Sequence, residues 1–269
     1  MWADLCHKSA ESVDLESVSG GGARPAGGGG SAMLGGMGDG RPMRMSWHDL
    51  LFAHAPVPVA ALRAVVPAGL EIDTFDGVAW LGVVPFRMTR VGPRVLPPLP
   101  GLSAFPELNV RTYVTRDGKP GVWFFSLDAA NRVAVWTARR FFHLPYFRAD
   151  MTCAVAGDGI RYASTRTHAG APPAEFRGIY RPTGDVYATR PGDLDHWLTE
   201  RYGLYAARPD GTLRRVDLEH VPWPLQRAEA TIEANTMAAA AGLAFPATPA
   251  LLHFARRIDV VSGMPVKVG

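Results

Sequence analysis

In the stretch Phe105-Pro-Glu-Leu-Asn-Val-Arg-Thr-Tyr-Val114, every second residue from Glu107 to Tyr113 is polar or titratable. Alternate side chains of an extended strand leave opposite faces. Glu107, Asn109, Arg111 and Tyr113 therefore share one face, and Leu108, Val110, Thr112 and Val114 the other. Such a ladder can bind an acid and move a proton. Glu107 would act as acid or base, Arg111 would pair with a carboxylate, and Asn109 and Tyr113 would supply hydrogen bonds. Glu107 and Arg111 stand four residues apart, about 13 Å at strand rise, so they do not pair directly and each must meet another strand or a ligand. The same alternation also describes a solvated sheet face. The Asn and Tyr between the charges favour a cavity lining.

A second segment, Thr137-Ala-Arg139-Arg140-Phe-Phe-His143-Leu-Pro145-Tyr146-Phe147, reads as a helix ending in a proline-fixed turn. That turn presents Tyr146 rigidly, and its hydroxyl can orient a carbonyl or act as an acid. Arg139 is a further candidate to hold a substrate. Phe141 and Phe147 are better read as packing, and Tyr146 as a core aromatic remains the alternative. His48, His54, His143, His168, His196, His220 and His253 show no metal-ligand spacing, so no metal and no other cofactor is expected. Ser103 in Gly-Leu-Ser-Ala-Phe lacks the second glycine of a nucleophile elbow. The Glu200–Arg201 pair reads as a solvated helix face, and the stretch around Trp223 as packing.

The elements that must position these residues follow from local pattern. Val59 to Val66 between two prolines gives a short helix. Asp76-Gly77 turns a hairpin between Glu71–Phe75 and Val78–Val84, and a second hairpin joins Leu108–Thr115 to Gly121–Leu127. Asn131–Phe142 and Leu194–Leu204 are expected helices. Met151–Ala156, Ile160–Thr167, Glu175–Tyr180, Leu213–Glu219 and Ala228–Asn235 are expected strands. Many antiparallel hairpins with few helices imply an α+β chain, mainly antiparallel β, with a curved sheet closed around a cavity.

Composition bounds the rest. Of 28 basic residues only Lys8, Lys119 and Lys267 are lysines, so amine catalysis has very few candidates. Basic and acidic residues are interspersed without a cluster that tracks a phosphate backbone, so nucleic acid is not an expected partner. Two cysteines without a C-x-x-C pair fit a reducing compartment, and the N-terminus has no signal-peptide pattern, so a cytoplasmic location is expected. Ala234–Ala255 is long enough to span a bilayer but carries Asn235, Pro246, Pro249 and His253, so no membrane span is expected. The first 44 residues hold 11 of 29 glycines and one aromatic, which predicts a disordered tail at 1–44, a linker or an over-long start, and a single domain at 45–269.

Together these stretches resemble the YqjF-like family, defined by a domain of unknown function. The resemblance rests on Trp47-His-Asp-Leu-Leu-Phe-Ala-His54, Leu70–Gly77, Val84-Pro-Phe-Arg87, Phe105–Val114, Gly121–Ala129, Leu144-Pro-Tyr146 and Thr199-Glu-Arg-Tyr202. That family is similar in turn to acetoacetate decarboxylase, which implies a cone- or barrel-like antiparallel sheet with a few short helices around a small-acid pocket. In those decarboxylases a Pro-Lys-Lys-x-x-Ala-like stretch supplies an imine-forming lysine. The stretch here that looks equivalent is Pro145-Tyr-Phe-Arg-Ala149, which puts Tyr146 where the nucleophile would be, and Glu107 looks like the strand glutamate of the pocket. Lys8 falls in the tail, Lys119 at a turn tip and Lys267 beside the C-terminus, so decarboxylation through an imine is not expected. Whether the chain is an enzyme stays open. One reading is a binder of a small organic acid or carbonyl compound with lysine-free proton transfer, namely enolisation, dehydration, cyclisation or hydrolysis. The others are a non-catalytic carrier or sensor and a protein-interaction domain, and a homo-oligomer is compatible with each.

Overall fold

The computed structural model describes residues 41–268. In chain order they form β1 (Met43–Val57), α1 (Val59–Arg63), β2 (Glu71–Ile72), β3 (Ala79–Pro93), β4 (Phe105–Arg116), β5 (Lys119–Ala129), α2 (Arg132–Thr137), a π-helical turn (Ala138–Phe142), β6 (Tyr146–Ala156), β7 (Gly159–Arg166), β8 (Glu175–Tyr187), α3 (Leu194–Thr199), β9 (Gly203–Ala207), β10 (Leu213–Glu219), β11 (Leu225–Asn235), a 3-10 turn (Ala239–Ala241), β12 (Leu251–Ser262) and β13 (Val266–Lys267). The α+β, mainly antiparallel expectation holds. Among the described residues, only β5 with β6 and β5 with β9 run parallel.

The sheet closes twice. Pairing of β4 with β5 closes a ring in the order β5-β6-β7-β8-β11-β12-β1-β3-β4, and β9 and β10 bridge β5 to β12 to close a smaller one. Strands β12, β1, β3, β4 and β5 are common to both rings, so the middle of this shared wall is covered on both faces. On one face Leu51, Ala53, Val83, Leu108 and Val110 pack with Tyr162, Phe176 and Tyr180 from β7 and β8. On the other Leu50, Phe52, Val84, Phe86 and Phe124 pack with Leu204 and Val216 from β9 and β10. Burial of each such side chain contributes about 1.5 to 3 kcal/mol, which makes this doubly covered wall the main stabilising unit.

Extra residues re-phase three of the long strands. Asp49 in β1 (φ 53°) and Arg90 in β3 (φ 56°) each insert one residue against the neighbouring strand, and β5 gains one at Phe125 opposite the Val110–Arg111 step. Met45 and Trp47 thus face the same way as Leu50 and Phe52, although strict alternation would oppose them. Bulges increase local twist. They let strands of up to 15 residues bend around the smaller ring without exposing the apolar set.

Several expectations are corrected. The Asp76-Gly77 turn forms, but Phe75 and Val78 make only an isolated bridge, and β2 pairs with β4, whose edge has no other partner at that point. The helix expected to Leu204 stops at Thr199, because Gly203 to Ala207 pair with β5 and β10 as β9. Strand β6 opens at Tyr146, five residues earlier than expected, drawn in by pairing with Leu127, Asp128 and Ala129. β12 lies inside and beyond the apolar stretch rejected as a membrane span, and no helix among the described residues is long and apolar enough to cross a membrane. Residues 1–40 of the expected tail lie outside the described residues. Met43 and Arg44 already belong to β1, where Ser262 and Val261 pair with them.

Candidate functional site

A cavity of about 460 Å³ occupies the smaller ring. Glu107, Asn109 and Arg111 project into it from β4, as the alternation predicts, and all three are at least nine-tenths buried. The walls are apolar: Val84 and Phe86 of β3, Val122 and Phe124 of β5, Leu204 of β9 and Val216 of β10. Helix α2 and the π-helical turn contribute Val133, Ala138 and Phe142 near the 93–104 loop, to which the Asn131 side chain is tied through the Leu102 carbonyl at 2.9 Å. The same Asn131 caps α2 by accepting from the backbone N–H groups of Val133 and Ala134.

At one part of the cavity the Tyr146 hydroxyl donates to Glu107 Oε2 at 2.8 Å. Burial pushes the Glu107 carboxyl up to about 8, with the Tyr146 hydrogen bond opposing the rise and the Asp128 carboxylate adding to it. The group is therefore mainly a neutral acid at neutral pH. Burial and the adjoining Glu107 carboxyl hold the Tyr146 phenol well above its ordinary range, so it stays a donor. Both residues are fixed from behind. The Arg139 guanidinium donates to the Tyr146 carbonyl at 2.7 Å, and the Tyr162 hydroxyl reaches through the shared wall to the Glu107 carbonyl at 2.7 Å. Asp128 is locked in a two-bonded pair with Arg166 at 2.6 and 2.8 Å.

Elsewhere in the cavity the Arg111 guanidinium lies over the rings of Phe52 (5.3 Å) and Tyr113 (5.9 Å). It forms no salt bridge among the described residues, and its Nε and one terminal nitrogen have no hydrogen-bond partner. Asn109 Oδ1, the indole nitrogens of Trp47 and Trp223, and one terminal nitrogen of Arg201 are also buried without partners around this cavity. A buried cation without a counter-ion is costly unless an anion completes it. Apart from the Asn109 oxygen, which accepts, these partnerless groups are N–H donors.

Two expected contacts lie elsewhere. Tyr113 is fully buried but does not line the cavity: its hydroxyl bonds to His54 Nε2 at 2.7 Å, and its ring separates Arg111 from Arg201 (5.0 Å). Burial and the Arg111 charge hold His54 well below its ordinary value, so it is neutral. Gly82 leaves room for both, since a Cβ there would come within 3.1 Å of the His54 ring and 3.4 Å of Arg111 Cγ. Arg139 is outside the cavity and acts on Tyr146 through its carbonyl. The Glu200–Arg201 pair is not a solvated face. Arg201 is buried, bonded to Asp73 at 2.6 Å and to the Trp197 carbonyl at 2.6 Å. Trp47, Trp223, Arg201 and His220 line the cavity without having been assigned to it from sequence.

Among the described residues no group of His, Cys, Asp and Glu could hold a metal ion. Lys119 and Lys267 are exposed and do not line the cavity. The cavity's own groups can donate a proton from Glu107, take it back, and hold an oxygen on Tyr146.

Comparison with known proteins follows the same lines. The fold is shared with acetoacetate decarboxylase from Legionella pneumophila (TM-score 0.59, 14% identity, covering 85% of this chain and 87% of that one). It is also shared with the enduracididine biosynthesis enzyme MppR (TM-score 0.56, 13% identity, covering 91% and 99%), whose structure has also been determined in complex with pyruvate. In sequence, the uncharacterized protein YqjF of Bacillus subtilis (strain 168) is 50% identical over 219 residues, covering 81% of this chain and 89% of its own length. Residues 44–259 match the model of an uncharacterized conserved protein, the domain of unknown function DUF2071, and the chain belongs to that family.

Proposed function

We propose that the cavity of the smaller ring binds an organic acid or carbonyl compound and that Glu107 and Tyr146 carry out lysine-free proton transfer on it. The observation that carries this reading is a neutral carboxyl paired with Tyr146 in the same apolar cavity as the unpaired Arg111. Arg111 would take a carboxylate. The Tyr146 hydroxyl would hold a carbonyl or enol oxygen, and Glu107 would give and recover the proton. Enolisation, dehydration, cyclisation and hydrolysis all use such a step. The fold neighbour determined with pyruvate supports a carboxylic acid as occupant. An imine step has no amine to start from in the cavity lining.

The test is thermal unfolding with a panel of keto acids, hydroxy acids, lactones and aromatic acids, run beside Arg111→Ala. Ligand at a hundred times its Kd adds about 2.7 kcal/mol, a shift of roughly 5 to 10 °C for a domain of this size. A shift shared by one class and absent in Arg111→Ala is expected. No shift with any acid overturns the reading. The absence of lysine from the cavity lining also favours a carrier or sensor, which would return its ligand unchanged where an enzyme would convert it.

A further inference from the structure

Glu107 and Arg111 mark the two ends of the cavity-facing ladder on β4. Glu107 and Arg111 lie four residues apart along β4, about 13 Å between backbone positions. Their heads are also held by different neighbours: Tyr146 holds the Glu107 carboxyl, while Phe52 and Tyr113 hold the Arg111 guanidinium. The charge that acts on Glu107 is that of Asp128, whereas the charge of Arg111 acts on His54, Tyr113 and His220. An acid with its carbonyl one or two bonds from its carboxylate cannot engage both ends. Between them on the same face of β4 stands Asn109, whose Oδ1 is buried without a partner, and the wall around it includes Val84, Phe86, Phe124, Leu204 and Val216.

We infer that the ligand is elongated and polar at both ends: a carboxylic acid whose second oxygen function lies across a spacer of about six bonds or more. The length follows from the backbone separation less a hydrogen bond of about 3 Å at each end, leaving about 7 Å to span. Medium-chain hydroxy or oxo acids, and aryl acids of equal reach, have this form. A cavity of about 460 Å³ accommodates them. The inference rests on the reading of Arg111 as the carboxylate partner and adds the distance at which Glu107 and Tyr146 act.

The test is calorimetric titration of the full chain with 4-, 6-, 8- and 10-carbon ω-hydroxy acids, each paired with the unsubstituted acid of equal length. Longer chains bury more methylene groups in any apolar site, so the ratio within each pair is the readout. That ratio is expected near one for the 4-carbon pair and roughly fivefold to tenfold at the length that reaches Glu107, with the gain lost in Tyr146→Phe and Glu107→Leu. Affinity for the unsubstituted acids should persist in both variants and fall in Arg111→Ala. A ratio near one at every length, with Arg111-dependent binding intact, overturns the elongated ligand but not the carboxylate site. Binding unaffected by Arg111→Ala overturns both.

Discussion

Replacing Glu107 by Gln should make the fold more stable, and by an amount that depends on pH. Glutamine keeps the shape and can accept the Tyr146 hydrogen bond, but it has no proton to lose. The Glu107 carboxyl titrates at 4.5 in an unfolded chain and at about 8 in the fold. Below the lower value both states are protonated and the group contributes nothing to pH dependence. As pH rises from there, the unfolded chain ionises while the folded one must keep its proton, so the wild type loses about 1.4 kcal/mol of stability per pH unit. The loss is complete near pH 8 and amounts to about 5 kcal/mol, of which about 3 kcal/mol is already present at pH 7. At 2 to 4 °C per kcal/mol for a domain of this size, the melting-temperature gap between variant and wild type should widen by roughly 10 °C between pH 4.5 and 8.5. Differential scanning calorimetry in matched buffers measures it, and groups common to both proteins cancel in the difference. A gap that stays constant over that interval would refute the placement of Glu107 as a buried neutral acid.

Tyr146→Phe removes the one hydrogen bond that lowers the Glu107 carboxyl, so the pH at which the stability loss levels off should move above 8, read from the same calorimetric series. Asp128→Asn leaves Arg166 buried without its counter-ion and should cost about 3 to 5 kcal/mol by denaturant unfolding; less than 1 kcal/mol would mean the pair is solvated. It also removes a negative charge that raises Glu107, so the Glu107 transition should move to lower pH. Gly82→Ala places a methyl against His54 and Arg111. It should cost about 1 to 3 kcal/mol and weaken carboxylate binding, whereas Ala at the exposed Gly184 should leave binding unchanged.

The polar ladder was legible because β4 is regular: no bulge interrupts Glu107 to Arg111, so a period of two places each side chain correctly. Tyr113 obeys the same period, yet its place is taken up by His54 and Trp197, contacts that only the folded chain brings together. Trp47 was illegible for the opposite reason. The extra residue at Asp49 changes the phase of β1, and no local composition announces it. Arg201 sits four residues after Trp197 and looked like a helical surface position; it is instead the end of α3 folded back over the Trp197 ring (4.2 Å) and tied to Asp73. β9 and β12 escaped because their residues take strand form only through partners distant in sequence, β5 and β10 for one and β1 and β11 for the other. The missing lysine, by contrast, needed only composition.

The single inserted residue at Asp49 makes spacing, and not only residue identity, a carrier of information. Its carboxylate is anchored by Arg256 at 3.1 Å and its carbonyl receives the Tyr180 hydroxyl at 2.8 Å, so the kink is clamped on both sides of the wall. Excising that one residue would shift the frame of everything before it: Met43, Met45 and Trp47 would turn away from the cavity, and Arg44, Ser46 and His48 would turn toward it. An apolar stretch of the lining would become a hydrophilic one with no side chain exchanged. Related chains that kept every one of these residues but differed here by one position would present a different cavity lining.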